Sequence, residues 1–167
     1  LALGGTVAAP AMDVANLGRM AVIVDPTQAA FGIWQSGLHT GTGLIREHGA
    51  LTWAEVNTGD APAARDFYAG LFDLAHAKIE GMDYFTLNPA GATPSSGVLQ
   101  MTAEWAGIPP HWMVYFAVES ADAAAESIKA LGGEVKHGPF DTPHGRMAVC
   151  MDPMGAPFSV IEAIDPG

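Results

Sequence analysis

The sequence predicts a mixed α+β fold, a module of two β-α-β-β-β halves whose strands form a cupped sheet. Three observations predict it. A strand followed by an amphipathic helix occurs twice, with Val56 and Val118 closing the two strands 62 residues apart. Residues 3–35 and 131–162 repeat one another in order. Gly- and Pro-rich turns separate short strands after each helix.

Leu51 to Asn57 (LTWAEVN) alternates apolar and polar residues, as a half-buried strand does. Asp60-Ala61-Pro62 then opens a helix: an Asp near the N-cap and a Pro in the first turn, where its missing N–H is harmless. The spacing predicts a helix over 61–72, with Ala64, Phe67, Tyr68, Leu71 and Phe72 on one stripe. Tyr84–Leu87 and Gly97–Met101 read as strands, divided by Asn88-Pro89-Ala90-Gly91 and Pro94-Ser95-Ser96. The pattern restarts with the apolar strand Trp112–Val118. Ser120-Ala121-Asp122 opens a second helix, with Asp122 as the counterpart of Asp60. It runs to Leu131, and Gly132-Gly133 ends it. Strands follow near 134–138, 146–151 and 157–163, the last two joined by the turn Asp152-Pro153-Met154-Gly155.

The repeat sets the domain organisation. Leu3-Gly4-Gly5 matches Leu131-Gly132-Gly133. Gly18-Arg19-Met20-Ala21-Val22 matches Gly145-Arg146-Met147-Ala148-Val149, and Asp25-Pro26 matches Asp152-Pro153. Residues 1–35 therefore read as the closing part of a first module. Residues 36–50 read as a linker, 51–163 as a complete second module with halves 51–103 and 111–163, and 164–167 as a tail. The bare strands of 1–35 call for a covering surface, either an upstream module or a second copy in a homodimer.

Composition narrows the function. The 167 residues are 49% hydrophobic and 15% charged, with 7 Lys+Arg against 18 Asp+Glu and a formal charge of −11. Such an acidic chain does not suit nucleic acid or an anionic membrane surface. No apolar run approaches the ~20 residues of a membrane span. Cys150 is the single cysteine, which leaves no intrachain disulfide and no CxxC metal knuckle. A reducing cytoplasm is the expected compartment.

The order β-α-β-β-β twice, Asp60 with Phe67-Tyr68 seven residues on, Leu131-Gly132-Gly133 and the closing Asp152-Pro153-x-Gly155 resemble the vicinal oxygen chelate superfamily. Its members include glyoxalase I, bleomycin-resistance proteins and extradiol dioxygenases. Trp53-x-Glu55 and the Gly-Arg-Met-Ala-Val…Asp-Pro hairpin are similar to the two-module glyoxalase-like proteins often labelled hydroxylases. The likeness spans 51–163 and, as the end of a preceding module, 3–35.

The resemblance implies a divalent metal held by His and Glu side chains on the cupped face. Carried over one at a time, the first-strand ligand falls on Trp53 and the ligand opening the second half on Met113. The closing-strand Glu falls on Ser159, and on Gly32 in the first copy. Near Gly97–Met101 the only strong polar group is Gln100. Indole and thioether are poor ligands for such ions, so the expected cofactor is none, with a divalent metal as the alternative.

What remains is an apolar cup with one carboxylate. Alternation puts Trp53, Glu55 and Asn57 on one strand face. Met113, Tyr115 and His111 face them from the second half, and Ser159 joins from the last strand. The mixture suits a flat organic ligand, with Trp53 and Tyr115 stacking, Met113 as a pliable wall and Glu55 as orienting group or general base. The plainer role for Glu55 is a rim carboxylate held by Arg146 or Arg19. The expected function is binding or transformation of a small aromatic or polyketide-like metabolite. A metal-dependent glyoxalase-type lyase or dioxygenase, and a non-catalytic interaction module, are the alternatives. No phosphate-loop or GxSxG motif is present, and Cys150 reads as a buried, inert thiol.

Overall fold

The computed structural model describes residues 2–163; the expected tail lies outside them. The chain forms two compact units. One joins the described residues up to Thr42 with Glu55–Trp112, the other Gly43–Ala54 with the described residues from Met113 onward.

The first unit begins with β1 (Thr6–Val14), β2 (Gly18–Val24) and β3 (Ala30–Ser36), an antiparallel sheet in that order. Next come β4 (Leu51–Thr58, in this unit from Glu55), α1 (Ala61–Phe72), β5 (Leu74–Lys78), β6 (Tyr84–Pro89) and β7 (Ser96–Gln100). These four strands run β5-β6-β7-β4 across their sheet. Asp60 caps α1, its carboxylate accepting from the Ala63 N–H at 3.0 Å, with Pro62 in the first turn. Asp73 ends the helix in the left-handed region, at φ 53°. Val56, Phe85 and Val98 meet Ala64, Phe67 and Tyr68 of α1 in one buried cluster. Because side chains alternate along a strand, Glu55, Asn57, Tyr84, Gly97 and Leu99 lie on the opposite face.

The second unit holds β8 (His111–Ala117, in this unit from Met113), α2 (Ala121–Ala130), β9 (Glu134–Thr142), β10 (Gly145–Met151) and β11 (Pro157–Ala163). Its strands run β8-β11-β10-β9; β8 and β11 are parallel and the other pairs antiparallel. Ala121 and Ala125 of α2 are buried, and Ala124 and Ile128 pack on the cluster of Ala148, Cys150 and Val160. Burial pushes the Cys150 thiol pKa up, so a nucleophilic thiolate is disfavoured there.

Two local expectations are revised. Strand β5 stands where none was assigned, because Leu74-Ala-His-Ala-Lys78 carries little strand propensity and is ordered by pairing with β6. Leu71 and Phe72, on the predicted stripe, are 41% and 48% exposed; the buried residues of the helix are Ala61, Ala64, Phe67 and Tyr68. Helix α2 opens at Ser120 as expected, the Ser120 hydroxyl accepting from the Ala123 N–H at 3.3 Å, while Asp122 sits in the first turn and turns its carboxylate to Arg146.

Candidate functional site

Glu55 lies on the face of the first unit's strands opposite α1. It is 6% exposed, and its carboxylate accepts the Tyr84 hydroxyl at 2.8 Å. Tyr84 stands on β6 and Glu55 on β4, with β7 between them. The Tyr84 side chain crosses β7 at Gly97, where any Cβ would coincide with its hydroxyl. Glycine at 97 is therefore what allows a tyrosine to reach the buried carboxylate. Sequence reasoning singled out Glu55 as a candidate and did not foresee its hydrogen-bond partner Tyr84. The signal was available in retrospect: Tyr84 alternates with Phe85 and so must face away from α1.

Asn57 and His111 meet in the same unit. Asn57 Nδ2 lies 3.3 Å from His111 Nε2, and His111 Nδ1 lies 2.9 Å from the Pro109 carbonyl. That carbonyl can only accept, so the Nδ1–H form of the ring satisfies both contacts, Nε2 accepting from Asn57. Asn57 Oδ1 stays buried without a hydrogen-bond partner. Gln100 has a different task. Its Oε1 accepts from the Ala61 N–H at 2.9 Å and its Nε2 donates to the Gly59 carbonyl at 2.7 Å, so it secures the start of α1.

Trp53, Met113, Tyr115 and Ser159 belong to the second unit. Ser159 sits opposite Tyr115 in the parallel β11–β8 register. Ser159 is fully buried with its Oγ unpartnered, and Met113 is 4% exposed. The arginines expected near Glu55 are engaged elsewhere. Arg146 makes a two-pronged ion pair with Asp122, at 2.8 and 3.0 Å, and a third contact with Asp141 at 3.0 Å. Arg19 pairs with Asp13 and donates to the Ala11 carbonyl.

A buried polar chain in the first unit was not foreseen. Asp25, 1% exposed, accepts the Tyr68 hydroxyl at 2.8 Å, and Tyr68 in turn accepts from Trp112 Nε1 at 2.9 Å. Burial, with the charge and hydrogen bond of Asp25, holds the Tyr68 pKa far above the ordinary tyrosine value; the Trp112 hydrogen bond opposes the shift.

Against this geometry the family likeness can be tested. A family model for the "Glyoxalase/Bleomycin resistance protein/Dioxygenase superfamily" matches residues 50–160. The chain belongs to this superfamily. It is 43% identical over 163 residues to a Mycobacterium tuberculosis protein provisionally named glyoxylase CFP32, covering 95% of this chain and 61% of the relative. It is also 43% identical over 162 residues to the anthracycline biosynthesis protein DnrV of Streptomyces peucetius, covering 95% and 58%. The chain thus spans about 60% of the length of these curated relatives. The fold is shared with the 2,3-dioxygenase LapB from Pseudomonas sp. KL28, at TM-score 0.64 and 14% identity over 99% of this chain and 66% of that one. It is shared too with the Mn(II)-bound glyoxalase from Novosphingobium aromaticivorans, at TM-score 0.62 and 16% identity over 98% and 57%.

The metal that this superfamily implies does not fit the residues carried over for it. Those positions hold an indole (Trp53), a buried thioether (Met113) and a buried hydroxyl (Ser159), which are poor donors for a divalent ion of an oxygen/nitrogen site. Among the described residues no three His, Cys, Asp or Glu side chains form a group able to hold one. None of the helices of the described residues is long and apolar enough to cross a membrane.

Proposed function

We propose that this glyoxalase-superfamily chain binds, and through Glu55 transforms, a small hydrophobic aromatic or polyketide-like metabolite without a metal. The observation that carries the reading is the Glu55–Tyr84 pair, a nearly buried carboxylate positioned by a phenol across a glycine. A carboxylate removed from water suits proton abstraction beside a carbonyl, and the tyrosine hydrogen bond fixes the orientation of the carboxylate. Asn57 and His111, in the same unit as Glu55, supply further contacts in this reading. The names of the relatives, one from anthracycline biosynthesis and one a glyoxylase, support a small carbonyl-bearing substrate. We place the activity in the cytoplasm. There the exposed apolar residues of β1 and β3, such as Val7 and Trp34, would meet an upstream module or a second copy.

The test is tryptophan-fluorescence titration and turnover assay against a panel of hydroxylated polycyclic ketones, with metal analysis of the purified protein. A ligand should quench fluorescence saturably, and Glu55→Gln should keep that binding while turnover falls about 10²–10⁴-fold, the usual worth of a general base. Gly97→Ala should displace Tyr84 and mimic Tyr84→Phe in activity. Stoichiometric metal whose removal abolishes turnover would replace this reading with a metal-dependent lyase or dioxygenase. Turnover unchanged in Glu55→Gln would remove Glu55 from the mechanism.

A further inference from the structure

On the α1 side of the first unit, opposite the face of Glu55, lies a cavity of about 290 Å³. Its walls are Phe31 of β3, Tyr68 and Phe72 of α1, Leu74, Leu87 and Trp112, with Ser96 at the start of β7. We infer that this cavity is a second binding site, for a neutral, flat aromatic molecule of roughly two fused rings.

The aromatic character follows from how the walls are set. Phe31 and Tyr68 meet edge to face with centroids 5.1 Å apart, and Tyr68 and Trp112 do the same at 5.1 Å. Rings so arranged leave both edges and faces for a further ring to pack against. Phe72 belongs to the same wall and is 48% exposed, a cost in hydration that an aromatic occupant would relieve.

The neutral character follows from the lining. Among the described residues no charged side chain borders the cavity. Asp25, which bonds the lining Tyr68, is committed to four contacts, from the Thr27 N–H and hydroxyl, the Ala29 N–H and the Tyr68 hydroxyl. An ionic ligand would lose its hydration and gain no counter-charge.

The site is also pre-formed. The Trp112–Tyr68–Asp25 chain fixes two of the walls by hydrogen bonds, so little conformational freedom remains to be lost on binding. The turn containing Asp25 does not itself need that chain, because the matching turn at Asp152 forms with its carboxylate accepting only from the Met154 and Ala156 N–H groups. None of the residues bordering the cavity is among those assigned above to the metabolite site, so either reading can fail alone.

The test uses indole as probe and indole-3-acetate as its charged counterpart, by isothermal titration, with nuclear Overhauser contacts to labelled leucine methyls. Indole should bind saturably, one per chain, with contacts to Leu74 and Leu87. Ser96→Phe, which projects a ring into the cavity, should weaken it at least about tenfold. Glu55→Gln should leave it unchanged, and indole-3-acetate should bind at least about tenfold more weakly. Absence of saturable indole binding overturns the inference. So do contacts to Leu99 in place of Leu74 and Leu87, or wild-type affinity in a folded Ser96→Phe protein. Equal affinity for indole-3-acetate overturns the preference for neutral ligands. If Ser96→Phe does not fold, the leucine contacts in the native chain decide alone.

Discussion

The β2–β3 and β10–β11 hairpins carry the same Asp-Pro turn and put it in different surroundings. In the first, Asp25 Oδ1 accepts from the N–H groups of Thr27 and Ala29 at 2.8 and 3.0 Å. In the second, Asp152 Oδ1 accepts from Met154 and Ala156, both at 2.8 Å. Each Asp N–H also bonds the carbonyl four residues on, at 2.9 Å. The turn is thus a local device, written in four or five residues. The second carboxylate oxygen makes the difference. That of Asp25 receives the Tyr68 hydroxyl and the residue is 1% exposed, whereas Asp152 stays partly exposed. Phe31 of the first hairpin packs on Phe67 and Tyr68 of α1. Equal sequences give equal turns, and what each turn contributes to stability is set by what packs on it.

The largest effect should come from removing the two aspartates in parallel. Asp25→Ala breaks the turn contacts and leaves the buried Tyr68 hydroxyl without its acceptor, so a loss of about 2–4 kcal/mol is expected. Asp152→Ala removes turn contacts alone and should lose about 1 kcal/mol. Urea unfolding of both variants measures this directly. Equal losses would mean that the Tyr68 contact contributes nothing beyond the turn.

Tyr68→Phe removes that contact together with the one to Trp112. The ring and its packing remain, while Asp25 Oδ2 loses its donor and Trp112 Nε1 its acceptor, for an expected cost of about 1–3 kcal/mol. The variant should also change the alkaline limb. The folded Tyr68 pKa lies above the unfolded value of 10.0, so the folded state keeps a proton that the unfolded state releases. Stability from this group is complete below about pH 10 and falls as pH rises beyond it. Thermal melts from pH 8 upward should therefore fall less steeply in Tyr68→Phe than in the native chain.

The same contrast explains what could be read from residues alone. Helix α1 was legible to the residue, because Asp60, Pro62 and the apolar spacing all act within one or two turns of chain. The repeat of residues 3–35 in 131–162 was legible as well, and both copies form antiparallel hairpins. The face of Glu55 followed from alternation. Its partner Tyr84 did not, since the pairing crosses a strand and depends on an absent Cβ at Gly97. Asp25 was visible only as a turn residue, because Tyr68 lies 43 positions away and nothing in the intervening chain announces the meeting.

Arg19 and Arg146 open the two hairpins and give the smallest test. Arg146 grips Asp122 with two nitrogens and also reaches Asp141, and its side chain is 33% exposed. Arg19 holds one exposed carboxylate, Asp13, from a side chain that is 46% exposed. The Arg146 hydrogen bonds keep the Asp122 pKa below its ordinary value of 3.8. That contribution is present above the unfolded value and disappears as pH falls through the lower folded one. Arg146→Met should therefore be slightly less stable than the native chain at neutral pH, by less than Tyr68→Phe. Its urea midpoint should converge on the native one as the medium is acidified well below the ordinary carboxylate range. Arg19→Met should sit close to native at neutral pH, as single exposed ion pairs generally do. If the two arginine variants behaved alike, the paired-nitrogen geometry at Asp122 would have no energetic consequence, and the second hairpin would owe its anchoring to β-pairing alone.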